Sequence, residues 1–242
     1  MNEGSGRWRA FGEALAVAVV VTGLVTAAAR LLPDKAVATT IGFIFLGATG
    51  LMVWRKEDDK VERYGLALGG LVVPEAPWRR TLRDGAVATG WALGLAALTF
   101  VPFYFGFRAY WRWRGLVPDG AHFAWPVRPL TLLTNFGGQL LMIALPEEAF
   151  YRGYLQTRLD EALPQRARIL GAEVGFSLLL TSLLFAVGHV ATIPSAQRLA
   201  VFFPSLVFGW LRARTRGVGA GIAYHALCNV FSELLGHGFG LY

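Results

Sequence analysis

The sequence predicts an all-α, polytopic transmembrane helix bundle of about seven spans, and three observations carry that prediction. First, 55% of the 242 residues are hydrophobic and only 16% are charged, whereas soluble domains average about 45–50% and about 25%. Second, the apolar residues are gathered into runs long enough to cross a bilayer core, which takes roughly 17–25 residues per helix. The mean hydropathy is +0.46. Third, Arg and Lys crowd the flanks of those runs unequally, as they do in membrane proteins. A water-soluble enzyme and a disordered chain are excluded on these grounds. A single Cys excludes an intrachain disulfide and a multi-cysteine metal site. The net charge of +7 fits cytoplasmic loops and anionic headgroups better than nucleic acid.

Taken in order, the predicted spans are 11–32, 36–54, 86–107, 130–156, 173–193, 197–212 and 217–235. The first is not a cleavable signal peptide, since a second span follows closely and Arg30 stands where a small residue would be needed. The sixth is short and holds Pro204, which leaves its limits loose. A shorter run, 65–74, is flanked by charge and ends in Pro74; it reads as interfacial, and depending on how it and the sixth run are divided the count is six to eight. With no internal repeat and no linker, residues 1–242 form one integral membrane domain.

The basic residues orient it. With seven spans, fifteen Arg and Lys fall on the side of the N-terminus and seven on the other, with Arg152 inside a span. The N-terminus is therefore expected in the cytoplasm, and the aromatic stretch 103–115 forms an interfacial belt at the outer face. Only three of the 23 basic residues are Lys, a bias that points to a GC-rich genome; the expected location is a bacterial inner membrane.

Polar groups inside the spans are the candidates for function, because a charge at mid-bilayer costs about 2.5–3.5 kcal/mol on insertion scales. The fourth span carries Glu147, Glu148 and Arg152, the fifth His189, and the seventh His225 and Asn229. Residues four apart share a helix face, so Glu148 lies over Arg152 and the pair can neutralise itself. Glu147 points elsewhere, needs a partner from another helix, and follows Pro146, which removes a backbone hydrogen bond. A hairpin supplies that partner: the midpoint of 147 and 189 is 168, at the edge of the polar turn 163–170, so Glu147 and His189 can face each other. His225 and Asn229 share a face, and His225 lies about 12 Å of helix beyond Gly217. Other polar residues have blander readings. Cys228 is a small apolar filler, Phe185 and Tyr151 are packing, Glu13, His122 and His237 lie near span ends or loops, and Glu233 approaches the outer interface.

A carboxylate facing a His can hold and deprotonate a water, and a His with an Asn can donate hydrogen bonds to a developing oxyanion. Together they allow hydrolysis of an acyl bond, foremost a peptide, without a covalent intermediate. Three rival readings stand beside it. A zinc peptidase would use Glu and two His as ligands; a proton-coupled transporter would use the same groups as a relay; a membrane scaffold or immunity protein would need no chemistry at all.

The motifs EEAFYR (147–152), FAVGH (185–189) and HALCN (225–229), in this order on successive spans, resemble the CAAX prenyl protease type 2 and bacteriocin-processing family of glutamic intramembrane endopeptidases. The resemblance covers about residues 130–235, the expected catalytic core. It implies a bundle enclosing a polar intramembrane cavity and metal-independent cleavage with no cofactor. It also implies activation of water by Glu147 and His189, an oxyanion hole from His225 and Asn229, and support from Glu148 and Arg152. The partners it implies are the lipid bilayer and a membrane-associated protein or peptide substrate. The Arg-rich character is similar to the myxosortase-like branch, which is associated with C-terminal sorting anchors.

Overall fold

A computed structural model of the chain describes residues 3–55, 57–68, 78–126, 128–164 and 166–241. Helix α1 (Glu3–Leu31) turns at Pro33 into α2 (Asp34–Thr49), which continues as a π-helical turn, Gly50–Trp54. A short α3 (Asp58–Arg63) precedes the long α4 (Trp78–Trp113). Helix α5 runs unbroken over 129–162, with π-helical stretches at Gln139–Ala144 and Ala149–Gln156. A hairpin of β1 (Arg166–Ile169) and β2 (Ala172–Gly175) leads into α6 (Phe176–Thr192). A 3₁₀ turn (Ala196–Val201) opens α7 (Phe202–Thr215), and α8 (Gly219–Gly238) closes the bundle. Each predicted span thus overlaps a helix, although the sixth meets only the 3₁₀ turn and the 14 residues of α7. Of the interfacial run, residues 69–74 lie outside the described residues, as does Lys56.

Burial follows the logic of a protein solvated by lipid. On α1 the inward face is a ladder of small residues, Ala10, Ala14, Ala18, Val21, Val25 and Ala28, all buried, while Val19, Val20 and Leu24 point outward. Small residues let helices approach closely where no hydrophobic force drives them together. On α4 the same division leaves Leu93, Leu98 and Val101 exposed and buries Ala92 and Ala96. Apolar surface of this extent is not stable in water, and Gly4–Leu31, Asp34–Trp54 and Trp78–Trp113 are each long and apolar enough to cross a membrane. The chain is an integral membrane protein. The 36 residues of α4 extend about 54 Å at 1.5 Å per residue, more than a hydrocarbon core of about 30 Å. The helix therefore extends well beyond the predicted span 86–107, with Arg79, Arg80, Arg83 and Arg112 toward its ends.

Two boundaries differ from the sequence reading for identifiable reasons. The fifth span begins at Phe176 rather than 173, because Ala172 and Val174 alternate inward from β2 onto Leu206, Trp210 and Ala213. The turn is made by Leu170 and Gly171, both at positive φ, the hairpin geometry that matches strand twist; Leu-Gly is a weak turn signal in sequence. Pro204 sits at the third residue of α7, where its missing N–H is one the helix does not need.

The core that positions the site lies among α1, α2, α5, α6 and α8, centred on Phe45, Phe150, Tyr151, Tyr154 and Phe185. Along its flank α8 packs on α4, with Phe100 and Phe231 stacked at 4.2 Å and the hydroxyls of Thr99 and Tyr224 2.7 Å apart. The ring of Pro146 is accommodated by the wider π turn that precedes it, and α2 closes on this point through Gly42. A Cβ at 42 would stand 3.0 Å from the Met142 carbonyl oxygen and 3.5 Å from Cγ of Pro146. The backbone carbonyl cannot swing aside, so Gly42→Leu is expected to destabilise the detergent-purified protein by about 1–3 kcal/mol. Leu93→Ala, on the lipid-facing side of α4, should change stability by no more than about 0.5 kcal/mol. Thermal unfolding followed by a core-reporting fluorophore checks both; equal effects would contradict the packing described.

Candidate active site

The buried centre of the bundle is built from α5 outward. Glu148 and Arg152, one helical turn apart, pair at 3.0 Å and are 0% and 1% exposed. Such a pair needs its remaining hydrogen-bonding capacity filled to be tolerated in a low-dielectric interior. Arg152 Nη2 donates to Ser205 Oγ at 2.6 Å and to the Ser205 carbonyl at 3.3 Å, both on α7. Its guanidinium carbon also lies 4.5 Å from the Phe185 ring centroid and 5.2 Å from that of Phe208, positions in which an aromatic face attracts a cation. Glu148 is seated against the backbone of α8 at Gly221, where a Cβ would come within 3.1 Å of its Oε2.

One turn beyond Gly221, His225 meets both carboxylates. Its Nδ1 is 3.0 Å from Glu148 Oε1 and its Nε2 is 3.9 Å from Glu147 Oε2. Stacking on Phe208 at 4.6 Å, with an interplanar angle of 15°, fixes the ring plane. His225 therefore bridges the two acidic residues that helix geometry separates on α5. Glu147 is buried, and its Oε2 has no hydrogen-bond partner.

His189 is held at the same site by α6. Its Nδ1 is 3.0 Å from the Phe185 carbonyl, and since a carbonyl only accepts, Nδ1 carries the proton and Nε2 presents a lone pair. The ring stacks against Phe185 at 4.4 Å, and Phe185 in turn meets His225 edge-on at 6.0 Å. Among the described contacts the nearest partner of the Glu147 carboxylate is His225 rather than His189. Asn229, one turn past His225, donates from Nδ2 to Gln139 Oε1 at 2.9 Å. That leaves its second amide N–H available.

The structure thus brings Glu147, Glu148, Arg152 and His225 into one cluster, with His189 joined through Phe185 and Asn229 joined through Gln139. Sequence reasoning passed over Gln139 and Ser205. The signal for Gln139 was present, since it is an uncharged polar residue in an otherwise apolar span, two turns before Glu147. Ser205 gave little signal, because it follows Pro204 in a short run whose limits were loose. Phe185 and Tyr151, read as packing, do pack, yet the Phe185 ring also lies over Arg152 and between the two histidines.

A family model described as type II CAAX prenyl endopeptidase Rce1-like matches residues 129–231, which include all three motifs as well as Gln139 and Ser205. No curated protein and no solved structure matches the chain. The three motifs gather around one buried ion pair, and the segment that carries them, residues 129–231, is similar to the Rce1-like type II CAAX prenyl endopeptidases.

Proposed function

We propose that this protein is an intramembrane endopeptidase of the glutamic type, with a catalytic core of about residues 130–235, which hydrolyses a peptide bond in a membrane-associated substrate. The observation that carries this reading is the pair of carboxylates on either side of His225, one neutralised by Arg152 and the other left without a hydrogen-bond partner. Glu147 is the general base. It takes a proton from a water that the His189 Nε2 orients, and the resulting hydroxide attacks the scissile carbonyl. The oxyanion is met by the Nε2–H of a His225 that carries protons on both ring nitrogens, Nδ1–H being held by Glu148, and by the second N–H of Asn229. Collapse of the tetrahedral intermediate breaks the C–N bond, and the proton held by Glu147 passes to the leaving amine. Glu148 and Arg152 hold His225 in register and do not exchange protons with substrate. Donors fixed in place before the reaction stabilise developing charge without reorganising.

The zinc reading uses the same residues, and the donor geometry argues against it. His225 Nδ1 is committed to Glu148, His189 Nδ1 faces a carbonyl, and the Arg152 charge stands one carboxylate away from where a dication would sit. For the substrate, the Arg-rich character and the likeness to the myxosortase-like branch favour a C-terminal sorting anchor on a bacterial membrane protein. The enzyme is then placed in the inner membrane with its N-terminus in the cytoplasm.

Mapping the C-termini of membrane proteins in cells carrying the wild-type chain or Glu147→Gln tests the reading. The substitution keeps shape and removes the base, so processed termini should vanish while the yield of folded enzyme stays near wild type. Processing that persists in Glu147→Gln, or that stops on chelation and returns with zinc, would overturn the glutamic mechanism. Gln139→Leu leaves every motif intact but frees the Asn229 amide to rotate. Loss of one oxyanion donor typically lowers turnover about 10²–10³-fold, and turnover of the Gln139→Leu enzyme should approach that loss with KM little changed. Wild-type turnover would show that Gln139 does not set the Asn229 orientation.

A further inference from the structure

Polar side chains continue along α5 well past the reacting groups. Glu148, Arg152, Gln156 and Asp160 recur every four residues, so they form one stripe down the helix. Two of these residues bond to α7 in the same parallel register. Arg152 donates to Ser205, and Gln156 Nε2 donates to the Gly209 carbonyl at 3.1 Å, with 53 residues separating the partners each time. At the far end Ser177 at the start of α6 donates to Asp160 at 2.5 Å. The Asp160 side chain is 26% exposed, so the stripe reaches solvent there. From Asp160 to Glu148 is twelve residues, about 18 Å of helix.

This seam holds most of the unsatisfied polarity of the molecule. Twelve buried side-chain atoms among the described residues have no hydrogen-bond partner within the protein. Seven of them fall on six residues of the seam and its head, namely Glu147, Glu148, Arg152, Gln156, Thr181 and Ser182, although one of the seven, Arg152 Nη1, is ion-paired with Glu148 at 3.0 Å. Thr181 and Ser182, each 1% exposed, lie on α6 within a turn of Phe185, whose ring covers Arg152. The set mixes acceptors (Glu147 Oε2, Glu148 Oε2, Gln156 Oε1), a donor (Arg152 Nε) and hydroxyls that do both. Leaving such atoms dry costs about 1–3 kcal/mol each, and random packing would not concentrate them along one helical stripe. A buried water makes about three hydrogen bonds to groups of this kind, and it alone donates and accepts with equal ease.

We propose that the seam between α5, α6 and α7 is a water file, a row of bound waters running from Asp160 to Glu148 that connects the buried carboxylates to solvent at the basic end of the bundle. Its use as the supply of hydrolytic water rests on the peptidase reading; its hydration does not. If the protein hydrolyses peptides, each turnover consumes one water, and the file replaces it without opening the lipid-facing side of the bundle.

The test reads hydration and not activity, so its failure is distinct from failure of the proposed function. In a Cys228→Ala background, Ser182→Cys and Thr181→Cys place thiols in the seam, and Leu183→Cys places one on the lipid-facing side of the same helix. The full-length protein in bilayers is exposed to silver ion, which travels through water and reacts with thiols. The expected result is loss of free thiol at 182 and 181 and none at 183. Radiolytic hydroxyl labelling of the unsubstituted chain gives an independent reading: Leu178, buried beside Gln156 and Gly209, should be modified while Phe45 and Phe150, buried away from the seam and intrinsically more reactive as aromatics, are spared. Thiols at 181 and 182 as inert as that at 183, or Leu178 labelled no faster than Phe150, would overturn the proposal and make the seam a dry polar contact between helices.

Discussion

The ion pair between Glu148 and Arg152 is the constraint around which the rest of the molecule is arranged. Both side chains are essentially inaccessible, and taking two charges out of water costs several kcal/mol per ion even after relaxation. The pair survives because three other helices contribute to it. Helix α7 offers Ser205 and the Phe208 ring, α6 offers Phe185, and α8 offers His225 and the open backbone at Gly221. Each contribution also places a residue of the candidate site. Satisfying Glu148 fixes His225, and fixing His225 sets its Nε2 toward Glu147. The energetic demand of the buried pair and the geometric demand of a preorganised site are met by the same contacts.

The helices that precede the family-matched segment serve this centre from outside. Glu13 on α1 accepts from Arg158 at 2.8 Å and is 3.4 Å from the Tyr154 hydroxyl, tying α1 to the C-terminal third of α5. Arg158 is further bound by Glu161, which also receives Arg63 at 3.0 Å. On the other flank Gly42 lets α2 lie against the Met142 carbonyl beside Pro146. These contacts hold α5 where its π-helical stretches would otherwise be free to shift register, and π turns of this kind recur at functional sites.

Much of this was legible in the sequence, for physical reasons that differ from element to element. The spans were readable because lipid demands length and apolarity, and every predicted run overlaps a helix. The i,i+4 spacing of Glu148 and Arg152 was enough to place them on one face. The equidistance of 147 and 189 from the turn brought their helices together, but it could not show that His225 would be nearer to Glu147 than His189 is. That contact depends on the tilt of α8, which no local pattern encodes. Gln139 and Ser205 are single polar residues whose roles come from partners 90 and 53 residues away. The hairpin at 166–175 was hidden because Leu170 adopts a positive φ that its side chain does not favour, so the turn carries no strong signal. The limits of α7 were blurred by Pro204, which is harmless at a helix start and disruptive elsewhere.

The dependence of the site on its buried ion pair is most directly tested by a double-mutant cycle on folding stability with Glu148→Gln, Arg152→Met and the two combined. Each single change leaves an uncompensated buried charge, which costs about 3–5 kcal/mol when a buried pair is broken. The combined variant buries no lone charge from the pair, so its stability should return most of the way to wild type, with a coupling energy of about 2–3 kcal/mol or more. Single variants as stable as wild type, or a combined variant whose loss equals the sum of the two, would contradict the account that this pair organises the bundle.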